Sequence, residues 1–236
     1  MVSLKDQKLL IVAPHPDDEI IGCGGLIAKM KDAGGKVYVL FLTVGDTKDF
    51  SGNGFSSKKE RLLEIEAVAK YMRFDDYHVA YGHNRHHLRL DQEAQVELIS
   101  MIERKSPLSI EKLKPTIIMF PVSTNYNQDH RAAATAAFAA CRPASRQYKH
   151  QPQLVFSYEV AADQWNMEKL FAPNFFATLS FRQLQKKVAA LRLYTSQFRQ
   201  RGNPRSPKTL QGLAALRGSQ SGTSLAEAFY LHRVVV

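Results

Sequence analysis

The sequence predicts an α/β protein, a Rossmann-like three-layer sandwich with a mostly parallel sheet, and three observations carry that prediction. Short apolar strand signals alternate with stretches of helical periodicity along the chain. The first strand, helix and second strand fit within about forty residues, the spacing of a βαβ unit with a parallel pair. No repeat, low-complexity segment or long linker divides the 236 residues, so residues 1–236 read as one domain.

Each element follows from its own residues. Leu9–Pro14 and Val37–Val44 are buried-strand signals. Between them Leu26, Ile27 and Met30 sit at helical spacing, stopped by Gly34 and Gly35. Gly45 to Ser57 is polar and reads as a mobile loop. Leu62, Ile65, Ala69 and Met72 mark an amphipathic helix, and Tyr77–Tyr81 a third strand. Ala94, Leu98, Met101 and Ile102 line a further helix closed by Pro107, with Ser106–Lys114 irregular. Thr116–Val122 is the next strand, leading through Ser123–Asp129 to an Ala-rich helix, Arg131–Cys141. Leu154–Val160 is a strand, and Leu184, Val188, Leu191, Thr195 and Phe198 trace one long helix. Pro204–Pro207 separates it from a short helix around Leu210–Arg217, and Phe229–Val236 has strand character.

Composition excludes several classes. Apolar residues make up 44% and charged residues 23%, ordinary for a globular protein with a substantial core. The apolar runs are too short to span a bilayer, and the N-terminus lacks a secretory pattern, so a cytoplasmic protein is the default expectation. Two cysteines, Cys23 and Cys141, argue against a disulfide framework. The net charge of +10 favours anionic partners such as nucleotide-linked sugars or anionic glycans. The excess is scattered along predicted helices without a dense basic block, which weighs against nucleic acid.

Residues 13–19 read APHPDDE directly after the first strand, where open α/β sheets place their sites. Three adjacent acids repel one another, and burying them is costly unless a cation compensates. An imidazole and carboxylates as mixed N/O donors suit zinc among divalent ions. Read alone, a surface turn with an acidic helix N-terminus explains the same residues. The second segment, NQDHR at 127–131, follows another strand and opens another helix, so two loops at strand ends can converge despite their separation in the chain.

APHPDDE and NQDHR resemble the PIG-L/LmbE-like de-N-acetylases, zinc enzymes acting on N-acetylglucosamine-containing substrates. Arg61 and Glu64 match that family's arginine–x–x–glutamate, Ala190–Gln197 its AL…Y.SQ segment, and Ala226–Phe229 its closing AEAF. The resemblance implies that His15, Asp18 and His130 bind zinc (other divalent transition metals accept similar ligands), that Asp17 is the general base, that Arg61 contacts substrate, and that Asp129 stands behind the ligands. It implies hydrolysis of an N-acetyl amide of an amino sugar: Asp17 takes a proton from the attacking water and returns it to the departing amine. One departure is Asn127, where many members carry histidine; an amide can donate to an oxyanion but cannot act as an acid near neutral pH. Family members often assemble into oligomers, and no residue here sets a state.

Two other functions stay open on the sequence: a zinc amidase for a non-sugar amide, and a carbohydrate- or nucleic-acid-binding module without turnover. Among the remaining candidates, Gly22, Gly24 and Gly25 do not have dinucleotide-loop spacing and read as close backbone packing. Cys23 reads as a buried thiol rather than a ligand. His83, His86 and His87 read chiefly as a solvated basic loop, with substrate contact as the alternative. The loop Asp46–Gly54 and Trp165 are candidates to border a sugar, and for Arg61 a surface ion pair with Glu64 competes with substrate contact.

Overall fold

A computed structural model describes residues 3–48, 54–165, 172–200 and 202–235. The first half runs β1 (Lys8–Ala13), α1 (Asp18–Asp32), β2 (Lys36–Thr43), the hairpin β3 (Thr47–Lys48) and β4 (Phe55–Ser56), α2 (Lys58–Met72) and β5 (Asp76–Tyr81). Next come α3 (Gln95–Ser100), which runs on as a π-turned stretch through Met101–Lys105, and then α4 (Ile110–Leu113), β6 (Ile117–Pro121) and α5 (Gln128–Ala140). The chain finishes with β7 (Leu154–Tyr158), β8 (Phe175–Thr178), α6 (Phe181–Leu193), α7 (Pro207–Gln220) and β9 (Ala226–Val234).

The main sheet has the order β5-β2-β1-β6-β7-β9-β8. The first five strands in that order pair in parallel, and β9 runs antiparallel to both β7 and β8. Chain order therefore reverses between β1 and β6. At such a switch point the two following loops diverge to opposite faces and leave a crevice at the strands' carboxyl ends. The loops in question are those of APHPDDE and NQDHR.

Alternation along β1 builds the layers. Leu9, Ile11 and Ala13 join a core with α1, α2 and α6, while Leu10 and Val12 join a second core with α5 and the α3–α4 region. Three glycines in α1 sit where a side chain could not. A Cβ at Gly22 would meet the Tyr158 ring at 2.3 Å, and one at Gly25 would meet Leu179 at 2.4 Å. These glycines serve backbone packing, as expected. Cys23 is a fully buried thiol whose Sγ lies beside the sulfur of Met119.

The structure departs from the sequence reading in five places. The polar stretch Gly45–Ser57, read as a loop, holds the two short strands β3 and β4, paired antiparallel. The long helix through Thr195 and Phe198 stops at Leu193; Thr195 and Ser196 instead turn inward to donate to Glu64. The irregular stretch 106–114 contains the single turn α4. The four-residue β8 carries too short a pattern to be read, and forms only because β9 gives it a partner. The closing strand starts at Ala226, earlier than Phe229, with Glu227 in it accepting from the amides of Gly25 (2.8 Å) and Leu26 (2.7 Å) and from Lys187 Nζ (2.6 Å). The AEAF segment, on the strand next to the sheet edge, thus ties the sheet to α1. Among the described residues no helix is long and apolar enough to cross a membrane.

Candidate metal centre and cavity

Asp17 is the turning point of the first loop. Its φ of 108° lies in the left-handed half of the map, which a non-glycine residue occupies at a cost of about 1–3 kcal/mol. It stands at the N-cap of α1 without capping through its side chain. Its N–H donates to Glu19 Oε2 (3.1 Å), and its carbonyl accepts from Ile20 and Ile21 (3.0 and 2.9 Å). Glu19 is itself held at Oε1 by the Tyr194 hydroxyl (2.6 Å), and both side chains are fully buried. Burial pushes the Glu19 carboxyl up to about 8.

This turn leaves Asp18 as the first residue of α1, facing two imidazoles. Its Oδ2 lies 3.5 Å from His15 Nδ1 and 3.2 Å from His130 Nε2, and it also accepts from the His15 amide at 3.0 Å. One donor atom from each of His15, Asp18 and His130 falls within 4.8 Å of the others, and all three residues are buried. Each imidazole is oriented from behind. His15 Nε2 donates to Asp129 Oδ2 (2.9 Å), whose Oδ1 accepts from the Leu90 amide (2.9 Å). Asn125 is hydrogen-bonded to His130 Nδ1 (3.0 Å) and donates to Asp163 Oδ1.

The imidazoles and carboxylates offset one another's charge. Burial alone would raise the Asp18 carboxyl, but the neighbouring imidazoles, His130 foremost, offset this and hold it well below the usual range. Burial likewise opposes charge on His15, yet its bonds to Asp129 and Asp18 raise it to about 9. Asp17 is raised, by burial first, and although Arg205 Nε lies 3.2 Å away, neither carboxyl oxygen has a hydrogen-bond partner. Orphaned buried oxygens beside two imidazoles and a carboxylate fit one divalent ion, with three protein donors and a position left open.

The group lies in a cavity of about 330 Å³. Arg61 lines it but makes no ion pair with Glu64. Its guanidinium donates to the Pro16 carbonyl (2.7 Å) and to Ser196 Oγ (3.1 Å), while Glu64 accepts from Thr195 and Ser196. The arginine–x–x–glutamate and Y.SQ segments therefore meet as one clamp over the APHPDDE loop. Asn127 lines the cavity and caps α5, its Oδ1 accepting from the Asp129 amide at 2.9 Å.

The solvated reading of the histidine loop holds for exposed His83 and fails for its neighbours. His86 is buried against Glu93 (2.6 Å) and Tyr81. His87 lines the cavity, edge-on to the His15 ring, with its nitrogens on Thr47 Oγ1 (2.7 Å) and Thr43 Oγ1 (3.3 Å). Burial pushes it down to about 4, so the ring is neutral. Thr47 and Lys48 reach the cavity from the candidate loop 46–54, whose residues 49–53 lie outside those described. Trp165 is 81% exposed and does not line the cavity. Gln197, the end of the Y.SQ segment, also reaches the cavity, as do four residues that the sequence reading did not single out for the site: Asn125, Arg199, Asn203 and Arg205. Asn125 sits in the loop before α5 and the other three in the α6–α7 connection, where an ordinary polar side chain gives no local signal that the fold brings it to the switch point.

A Rossmann-like sheet with a His–Asp–His group and a buried acid at its switch point defines an α/β protein whose residues could hold one divalent ion. The chain belongs to the PIG-L family, described as GlcNAc-PI de-N-acetylase, whose pattern matches residues 10–141, more than half of its length. It is 27% identical over 227 residues to a diacetylchitobiose deacetylase of Thermococcus kodakarensis, across 94% of this chain and 81% of that protein. It is 24% identical over 165 residues to a probable N-acetyl-alpha-D-glucosaminyl L-malate deacetylase of Bacillus cereus, across 67% and 70% of the two chains. A crystal structure of a conserved protein from Thermus thermophilus shares the fold with a TM-score of 0.71 at 25% identity, over 97% of this chain and 95% of that one.

Proposed function

We propose that this protein hydrolyses the N-acetyl amide of an amino sugar, releasing acetate and the free amine. The observation that carries the reading is Asp17: a fully buried carboxyl with no hydrogen bond at either oxygen and a part-exposed arginine, Arg205, as its ion-pair partner, lining a cavity beside three residues that could share one ion. Family membership and the N-acetylated sugars named for the two relatives support the substrate class.

In this reading His15, Asp18 and His130 hold the ion, with zinc matching their mixed donors. When bound, zinc supplies a Lewis acid for the acyl carbonyl and lowers the pKa of water to roughly 7. Asp17 accepts the proton of the attacking water at a carboxylate oxygen and delivers it to the departing nitrogen. Asn127 donates from Nδ2 toward the oxyanion, as a neutral donor. Asp129 fixes the His15 ring, and Arg61 keeps the Pro16 carbonyl, and so the loop, in register with α6. Loops from β1, β6 and α6 close around the amide and limit its water.

The test is acetate release by the zinc-loaded protein from a panel of N-acetylated sugars, neutral and anionic, beside Asp17→Asn and a chelator-treated sample. Release from at least one sugar, lost in both controls, is expected. No release from any sugar, or release that persists after chelation, would sink the reading.

A further inference from the structure

We propose that Glu19 and Tyr194 form a positioning device for Asp17: the Tyr194 hydroxyl fixes the Glu19 carboxyl, and Glu19 fixes the Asp17 peptide in its left-handed conformation. The inference rests on the reading of Asp17 as the base and adds what keeps that base in place.

The argument begins with the conformation. At φ 108° an aspartate does not stay by local preference, and its side chain makes no capping bond that would reward the geometry. The bonds to its carbonyl from Ile20 and Ile21 are ordinary first-turn bonds that any residue there would accept. What is particular to this turn is the bond from the Asp17 N–H to Glu19 Oε2, made by a carboxyl reaching back along the helix.

This bond resembles the returning half of a capping box, except that it comes from the second residue of α1 where a full box uses the third, and the missing half is informative. In the full box the N-cap side chain bonds back to the helix, as Ser57 and Ser180 do at α2 and α6. Here the Asp17 carboxyl does not reciprocate, so neither oxygen is bonded back to the helix and the group faces the cavity with Arg205 beside it. A one-sided bond holds only if the reaching carboxyl is itself immobile. Tyr194 provides that from the end of α6: its ring is fully buried and its hydroxyl lies 2.6 Å from Glu19 Oε1. The turn after Leu193 that interrupts the expected long helix is what aims Tyr194 there. Neither side chain lines the cavity, so neither acts on substrate directly.

The experiment compares Glu19→Met, Glu19→Gln, Tyr194→Phe and the Glu19→Met/Tyr194→Phe double variant, all zinc-loaded full chains. Readouts are kcat and KM on the fastest-released sugar of the panel, with bound zinc and thermal midpoint. Glu19→Met is expected to lose about 100-fold in kcat, the cost of a reacting group displaced by an ångström, with KM and zinc content unchanged. Glu19→Gln keeps an acceptor for the Asp17 amide and a partner for Tyr194, and is expected to recover most of kcat. Tyr194→Phe falls between them, and the double variant is no worse than Glu19→Met, because the two act as one unit. Wild-type kcat in Glu19→Met or Tyr194→Phe overturns the proposal, as does a loss that follows zinc content or that glutamine fails to rescue. If Glu19→Met does not fold, Glu19→Gln and Tyr194→Phe decide by the same split. Turnover that survives Asp17→Asn would instead remove the base reading, and this proposal with it.

Discussion

Two loops face the same cavity and are built by opposite rules. The one after β1 is buried throughout, from Pro14 to Asp18, and its groups are tied to the scaffold by Asp129, Arg61 and Glu19. The connection between α6 and α7 brings half-buried polar side chains to the cavity, with Arg205 reaching Asp17 from a side chain that is 37% exposed. The difference separates two tasks. The floor holds charge in one geometry at the expense of strain, which only a rigid setting can sustain. The rim offers donors whose positions can vary with what is bound.

That contrast predicts a steep gradient of effects from floor to rim. The largest belongs to His130→Ala, which removes one of three donors. Metal affinity measured by competition with a chelator should fall by more than the roughly 10–100-fold that losing an outer partner costs, and activity should vanish with it. Wild-type zinc binding in that variant would show that the ion sits elsewhere. Asp17→Asn comes next, with full metal content and kcat down by roughly 10²–10⁴-fold, the range for a positioned proton-transfer group. Asp129→Asn should weaken zinc by about 10–100-fold while leaving turnover of the saturated enzyme closer to wild type, since Asp129 acts through the His15 ring.

The smallest effect is expected at the rim and appears in pH dependence. Asp17 must be ionised to take a proton, and its carboxyl is raised, by burial first and against the pull of Arg205. Replacing Arg205 with glutamine withdraws that pull and raises the carboxyl further. The acid limb of kcat/KM should then move to higher pH, with a change of at most about 1 kcal/mol, or roughly fivefold, because the arginine is partly solvated. An acid limb that stays put or moves down would erase the distinction between a fixed floor and a tunable rim at this pair.

Much of the floor is legible in the chain because local rules write it. APHPDDE sits at the end of an apolar strand and NQDHR at the start of an Ala-rich helix, so strand ends and helix caps already place His15, Asp18, Asp129 and His130 near the crevice. Arg61 shows the limit. Its segment is visible, but the choice between an ion pair with Glu64 and a role at the loop depended on Ser196, far along the chain. His86 and His87 show it again: a polar, His-rich stretch reads as solvated, and only packing against Tyr81, Thr43 and His15 buries it.

The sequence by itself determined the alternation of elements and the parallel core of the sheet, which depend on periodicity and spacing, and it showed two loops of candidate ligands, from which a family resemblance picked His15, Asp18 and His130. The tertiary structure alone decided how Tyr194 reaches Glu19, how Glu227 seats α1, where α6 ends and which cation leans on Asp17. Those contacts join residues whose separation along the chain carries no local signal, and they exist because buried polar groups must find partners wherever the fold brings one within reach.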